Sequence, residues 1–242
     1  NTRAIERQLE ILKEMGCNGI RTSHNPPAPE LLDLCDKMGF IVMDEAFDIW
    51  EKRKSPFDYA LFWNEWHEKD LRDQILRDRN HPSVIMWSIG NEILEQWDTS
   101  GLRVTPPLAA IVRALDSTRP VSAACNPPGP WNSVTNSGVL DLVGFNYHQQ
   151  EFEKFRENFP GKIFIGTETV SGLMTRGCYD MPSDSIRRWP VRWDIPFTTG
   201  NPDNTVSSYD NVSAHWGSTH EETWKIMKKH DVTFEVNTNG RN

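Results

Sequence analysis

The chain has 242 residues, a net charge of −8 and 34 acidic against 26 basic residues with no long Lys/Arg stripe, so a nucleic-acid partner is not expected. No apolar stretch approaches the roughly 20 residues of a membrane helix, while 37% hydrophobic content permits a sizeable core. The four cysteines, Cys17, Cys35, Cys125 and Cys178, form no C-x-x-C pair, which argues against a zinc or redox motif.

Ile5, Leu9 and Leu12 recur at helical spacing, and Gly16 is placed to end that helix. Gly19-Ile20-Arg21-Thr22 reads as a short strand entering the loop Ser23-His24-Asn25-Pro26-Pro27. Pro29 opens a second helix that carries Leu31, Leu32, Cys35 and Met38 up to Gly39. Cys17 and Cys35 lie in apolar surroundings and read as small core residues. Phe40 to Met43 is an apolar run of strand length that ends at Asp44-Glu45. The basic triplet Lys52-Arg53-Lys54 reads as a solvated loop.

A helix is expected from about Trp63 to Arg79, with Leu71 and Ile75 on one face. Ser83 to Ile89 is the next strand and ends in Gly90-Asn91-Glu92. Leu108, Ile111, Val112 and Leu115 mark another helix, and Pro120 to Ala124 a weaker strand. Leu142 to Phe145 ends at Asn146-Tyr147, and Ile163 to Gly166 ends at Thr167-Glu168. The stretch at about 175–218 is rich in Pro, Asp, Asn and Ser and holds Trp189, Trp193 and Trp216. It reads as a long loop insertion capping part of the domain. A last helix is expected over about Glu221 to Lys229.

This alternation, with near-continuous apolar strands, is that of an α/β protein whose parallel strands are covered on both faces. Polar residues stand at the carboxyl ends of several strands: His24, Glu45, Glu92, Tyr147 and Glu168. A doubly wound sheet concentrates its site at one switch point, whereas a (β/α)8 TIM barrel gathers it from many strand ends. No G-x-G-x-x-G or Walker pattern supports nucleotide binding. The expected architecture is therefore a single TIM-barrel domain over residues 1–242, near the compact end of the fold's usual length of about 250 residues.

Glu92 and Glu168 each follow an apolar strand directly, which brings two carboxyl groups to the rim of such a barrel. Cleaving a glycosidic bond needs one group to protonate the leaving oxygen and another to meet the developing positive charge. Ten tryptophans add a hint in the same direction, since sugars rest on flat apolar rings, although most tryptophans in a protein serve packing.

Three stretches carry a more specific signal. They are Arg21-Thr22-Ser23-His24-Asn25-Pro26-Pro27, Asp44-Glu45-Ala46, and Asp78-Arg79-Asn80-His81-Pro82-Ser83-Val84-Ile85-Met86-Trp87-Ser88-Ile89-Gly90-Asn91-Glu92. Together they resemble the catalytic domain of glycoside hydrolase family 2. Tyr179 to Asp184 and Arg192 to Pro196 are similar to its β-galactosidase-type members. The resemblance implies a retaining glycosidase with Glu92 as acid/base and Glu168 as nucleophile. It implies that Asn91 holds the sugar 2-hydroxyl and that Arg21 sits near the nucleophile and keeps it ionised. Tyr147 would donate a hydrogen bond to the nucleophile, and His24 would touch sugar or the carboxylate network. β-Glucuronidase or β-mannosidase specificity, or an inactive carbohydrate-binding fragment, stay open as alternatives.

Some family members hold magnesium through a Glu and a His in the loop that corresponds to Asp44–Lys52, which here contains no His. Asp48 and Glu51 read as solvated carboxylates, and neither a metal nor another cofactor is expected. The resemblance also implies a strand ahead of the first helix and an aromatic-bearing final strand. The chain starts at that helix, and after His230 its sequence does not match, so an incomplete barrel is expected. The opening Asn1-Thr2-Arg3, without Met, reads as a missing natural N-terminus and leaves the compartment open, periplasmic or secreted sites included. Oligomeric state is not legible; the expected partner is a glycoside or oligosaccharide.

Overall fold

The computed structural model describes residues 1–126, 129–171 and 214–230, with the two-residue strands Cys178–Tyr179, Arg187–Arg188, Thr205–Val206 and Val212–Ser213. The insertion expected at about 175–218 otherwise lies outside the described residues. Helices and strands alternate: α1 Thr2–Glu14, β1 Gly19–Arg21, α2 Pro29–Met38, β2 Ile41–Glu45, α3 Trp63–Asp78, β3 Val84–Asn91, α4 Ser100–Leu115 and β4 Val121–Cys125. They continue with α5 Ser133–Asn136, β5 Leu142–Asn146, α6 Phe155–Asn158, β6 Ile163–Glu168 and, after the short strands, α7 His220–Lys229. Strands β1 to β6 form one sheet in chain order, and β1–β2, β2–β3 and β3–β4 pair in parallel. This is the α/β repeat of a TIM barrel, with six of its strands among the described residues. No helix among them is long and apolar enough to cross a membrane.

The local chemistry explains the punctuation. Pro29 occupies the first turn of α2, where its missing N–H has no partner to lose. Gly39 closes that helix at φ +77°, a left-handed conformation that costs a glycine nothing. A capping box starts α7: Glu222 N donates to the Thr219 hydroxyl, and Thr219 N donates to the Glu222 carboxylate.

The chain divides into two compact units, the first of residues 1–125, 129–144 and 161–163, the second of 126–128, 145–160 and 164–242. In the first, Met43, Ile49, Trp50, Leu71, Ile75, Ile89 and Leu108 are fully buried. Leu71 and Ile75 are the buried stripe of α3, which packs against α4. Cys35 is buried, but Cys17 is only half-buried because it lies in the turn after α1 and not in a helix face. The second unit is built on aromatics. Phe164 meets Phe145, Phe152 and Phe155 at ring-centroid distances of 5.0, 4.6 and 4.7 Å, which are favourable offset and edge arrangements.

Candidate active site

In the first unit the site grows from the register of three parallel strands. Arg21 on β1 aligns with Met43 on β2, so it shares a face with Met43 and, two residues on, Glu45. Glu45 aligns in turn with Ser88 on β3. The three side chains then meet. Arg21 donates from Nε to Glu45 Oε2 at 3.0 Å and from Nη2 to Oε1 at 2.8 Å. Ser88 Oγ donates to Oε2 at 2.6 Å. His24 Nδ1 lies 2.8 Å from Oε1. Neither side chain of the Arg21–Glu45 pair is exposed to solvent. Two parallel N–H···O bonds suit the planar guanidinium and fix both groups in one orientation.

Asp44 and Glu45 are chain neighbours with opposite electrostatics. Side chains alternate along a strand, so Asp44 faces Gln74 on α3, whose Nε2 donates to its Oδ1 at 2.7 Å, and the hydroxyl of Thr22. Burial, and then the nearby charge of Asp78, push the Asp44 carboxyl well above its ordinary range. Burial acts in the same direction on Glu45. There the charge of Arg21 and the hydrogen bonds from His24 and Ser88 outweigh it and hold the carboxyl below its usual value. The carboxyl behind the strand is thereby pushed toward its neutral form and the next, in front of it, toward its ionised form.

Strand β3 carries an extra residue just before its end. Ser88 pairs with Ser122 and Asn91 with Ala124, so β3 advances by three where β4 advances by two. Such a bulge re-aims the side chains that follow it. Trp50 secures it from one side: its indole donates to Ile89 O at 2.8 Å, and the ring lies where a side chain on Gly90 would stand, 2.9 Å from an added Cβ. Glu92 follows the bulge, donates its backbone N–H to Ala124 O at 2.7 Å, and has φ +42°. A non-glycine residue at positive φ is uncommon and concentrates at functional sites.

Asn91 is the hub between the bulge and the loop after β2. Its Oδ1 accepts from Arg21 Nη2 at 2.8 Å, and its Nδ2 donates to Asp48 Oδ1 at 3.0 Å. Lys54 Nζ donates to Asp48 Oδ1, Asp48 O and Asn91 O at 2.8, 2.7 and 2.8 Å. Burial would raise the Asp48 carboxyl, but the bonds from Lys54 and Asn91 bring it below the ordinary carboxylate range. Lys54 is thus not simply solvated, and neither are the two loop carboxylates, since Glu51 pairs with Arg103. With an ammonium on Asp48 and a guanidinium on Glu51, these residues do not fit a divalent ion.

In the second unit, Glu168 ends β6. The Tyr147 hydroxyl donates to Glu168 Oε1, and Asn146 Nδ2 donates to Oε2 at 3.3 Å. Thr167 Oγ1 donates to Asn146 Oδ1 at 2.7 Å and so orients that amide. Tyr147, like Glu92, has a positive φ, of 55°. Its backbone N–H donates to Glu168 O.

The residues singled out in the sequence therefore fall into two groups, Arg21, His24, Asn91 and Glu92 in the first unit and Tyr147 and Glu168 in the second. The guanidinium of Arg21 is met by Glu45, a carboxylate that the motif Asp44-Glu45-Ala46 contained without revealing its partner. Ser88, Lys54 and Asn146 were not singled out. Lys54 had a signal, a lysine six residues after an aspartate in one loop, but only the fold shows that they meet.

Glu45→Gln is expected to destabilise the protein by about 3–5 kcal/mol at pH 7, because it leaves the buried Arg21 charge without its counter-charge. A carboxyl held low in the folded state stabilises above its unfolded pKa of about 4.3 and loses that stabilisation as pH falls through the folded value. The gap between the two proteins should hold at pH 7 and narrow below about pH 4. Urea unfolding at pH 7 and pH 3.5 reads both, and a gap that widens in acid would contradict the assignment.

A family model described as "Glycosyl hydrolases family 2, TIM barrel domain" matches residues 1–188. Among curated relatives, Beta-galactosidase BoGH2A of Bacteroides ovatus is 54% identical over 96% of this chain and 31% of its own length. A putative beta-glucuronidase of Formosa agariphila is 38% identical over 91% of this chain and 21% of its own. Among solved structures, a beta-glycosidase from Bacteroides vulgatus superposes with a TM-score of 0.80 at 34% identity, covering 98% of this chain and 31% of that one. The chain thus spans about a third or less of the length of these proteins.

Proposed function

Because the chain belongs to glycoside hydrolase family 2, we propose that it is the catalytic barrel of a retaining glycosidase that removes terminal β-galactosyl groups. Glu92 gives its proton to the leaving oxygen, and the Glu168 carboxylate attacks the anomeric carbon to form a glycosyl ester. Glu92, now ionised, then takes a proton from the water that hydrolyses this ester. Tyr147 and Asn146 orient the attacking carboxylate through its two oxygens. Asn91, fixed on both faces of its amide by Arg21 and Asp48, is poised to hold a ring hydroxyl.

The observation that carries this reading is that the Glu168 carboxylate is held by Tyr147 and Asn146 at the end of β6, while Glu92 directly follows the bulge of β3 and the residue Asn91 that Arg21 and Asp48 fix. A neutral sugar is supported by the state of the two cations that bond to Asn91. Arg21 and Lys54 are each met by a carboxylate of the chain, Glu45 and Asp48, whereas a glucuronide needs a cation for its own carboxylate. The 54% identical relative named a beta-galactosidase points the same way. The relative named a putative beta-glucuronidase keeps glucuronides as the second reading.

The test is kcat/KM of the intact protein on nitrophenyl β-galactoside, β-glucuronide and β-mannoside, with proton NMR of the first-formed anomer. Galactoside is expected to lead by about 100-fold, the scale on which a pocket discriminates between close analogues of its substrate. A β-anomer is expected first. A glucuronide preference, or inversion, would overturn the corresponding part.

A further inference from the structure

Of the tryptophans described, Trp50, Trp63 and Trp87 are buried and serve packing. Trp97 and Trp131 do not. They are 57% and 48% exposed, and their rings stack on one another at 4.9 Å with an interplanar angle of 21°. Trp97 ends the 3₁₀ turn Leu94–Trp97 that follows Glu92, and Trp131 lies in the loop after β4. Two large apolar rings left in water call for an explanation.

Their backbone is held with unusual care. Each follows or precedes a buried amide side chain, Gln96 before Trp97 and Asn132 after Trp131. These two amides bond to each other, Asn132 Nδ2 donating to Gln96 Oε1 at 2.9 Å. A second tie joins the same loops, from Ser133 Oγ to Glu95 O at 2.8 Å. Asn132 Oδ1 also accepts from the backbone of Val134 and Thr135 and fixes the start of α5. The indole of Trp131 lies over Gly129, where an added Cβ would fall 2.3 Å from Nε1. The stack is therefore a rigid platform built from two loops at the carboxyl ends of β3 and β4, and Trp97 lies five positions after Glu92 in the chain.

We propose that the Trp97–Trp131 stack is the platform for the sugar of the leaving group. This rests on the reading of Glu92 as the acid that protonates the leaving oxygen, because the group bonded to that oxygen lies on the side of the acid. A pyranose ring has a flat face of C–H groups that matches an indole, and a rigid platform binds it with little loss of side-chain freedom. Size argues against a protein occupant. Two aromatic side chains present about 150–250 Å² each, part of it already covered by their mutual stacking, whereas a stable protein interface buries more than about 1,000 Å².

The test compares two donors on the intact protein, both bearing the glycosyl group preferred in the nitrophenyl panel. One is the glycosyl fluoride, whose leaving group is a single atom; the other is the set of β-1,2-, 1,3-, 1,4- and 1,6-linked disaccharides with glucose leaving. For Trp97→Ala and Trp131→Ala, kcat/KM on the best disaccharide should fall five- to tenfold, mainly through KM, and that on the fluoride should stay within twofold. Trp97→Phe should retain most of the disaccharide activity. Equal loss on both donors, or no loss on the disaccharide, overturns the proposal. A variant that turns an oligomer into a monomer in sedimentation with unchanged kinetics overturns it too, in favour of a contact between copies. If the unmodified protein turns over neither donor, the catalytic reading falls and this one with it.

Discussion

Replacing Glu168 with glutamine is expected to lower kcat on any glycoside by a factor on the order of 10⁴ or more. The amide keeps the size of the side chain, and its oxygen can still accept from the Tyr147 hydroxyl, while its NH2 group faces the Asn146 amide donor, so the Tyr147 bond at the end of β6 should persist and the Asn146 bond should be lost. What it cannot do is attack carbon to form the ester. Losses of this size are typical when a group acting as the nucleophile is removed, because the remaining residues act only through it. A 2-fluoro glycoside with a good leaving group provides a second check. It should add one glycosyl mass to the unmodified protein, on the peptide bearing Glu168, and none to the variant. A label on another residue, or a variant within tenfold of the parent, would remove Glu168 from its role.

Glu92→Gln is expected to act differently, with a loss that depends on what leaves. General acid catalysis is worth roughly 10²–10⁴ in rate. A sugar alcohol departs poorly as an alkoxide and needs the whole of that contribution, so disaccharide hydrolysis should fall by about 10³ or more. A dinitrophenolate departs without a proton, and its release should fall far less. A plot of log kcat/KM against leaving-group acidity should therefore be steep in the variant and shallow in the parent. Equal slopes would show that Glu92 supplies no proton. Because Glu92 sits at φ +42° after the bulge of β3, the amide variant retains the backbone demand of the original. The comparison isolates the proton.

Much of this arrangement is legible in the sequence because parallel strands buried on both faces leave a strong mark. Continuous runs such as Phe40–Met43 and Val84–Ile89 stop where the chain meets polar residues, and those stops are the strand ends that carry Glu45, Asn91 and Glu168. Pro29 and Gly39 bracket α2 through backbone preferences that need no tertiary information. The features that escape are those that live between segments. The bulge at Ser88–Asn91 is a statement about β4 as much as β3. The alternate fates of Asp44 and Glu45 depend on which face meets α3 and which meets Arg21. Helices α5 and α6 have four residues each, about one turn, too short for a periodic signal. A count of ten tryptophans cannot say that Trp50 is buried and Trp97 is not.

The order of the sheet has a consequence for how the first unit comes into being. Neighbours in the sheet are also neighbours in the chain, from β1 through β4, so each pairing closes over a single intervening helix and its loops. Loop closure of this kind costs entropy only slowly with length, and no strand must wait for a distant partner. During synthesis, which proceeds from the N-terminus, β1 can find β2, and β2 can find β3, in the order in which they emerge. Arg21, Glu45, Asp48, Lys54, Ser88 and Asn91 all lie within the first 91 residues. Every residue of the charged network that precedes Glu92 has therefore been synthesised, and is available to assemble, before Glu168 has been made.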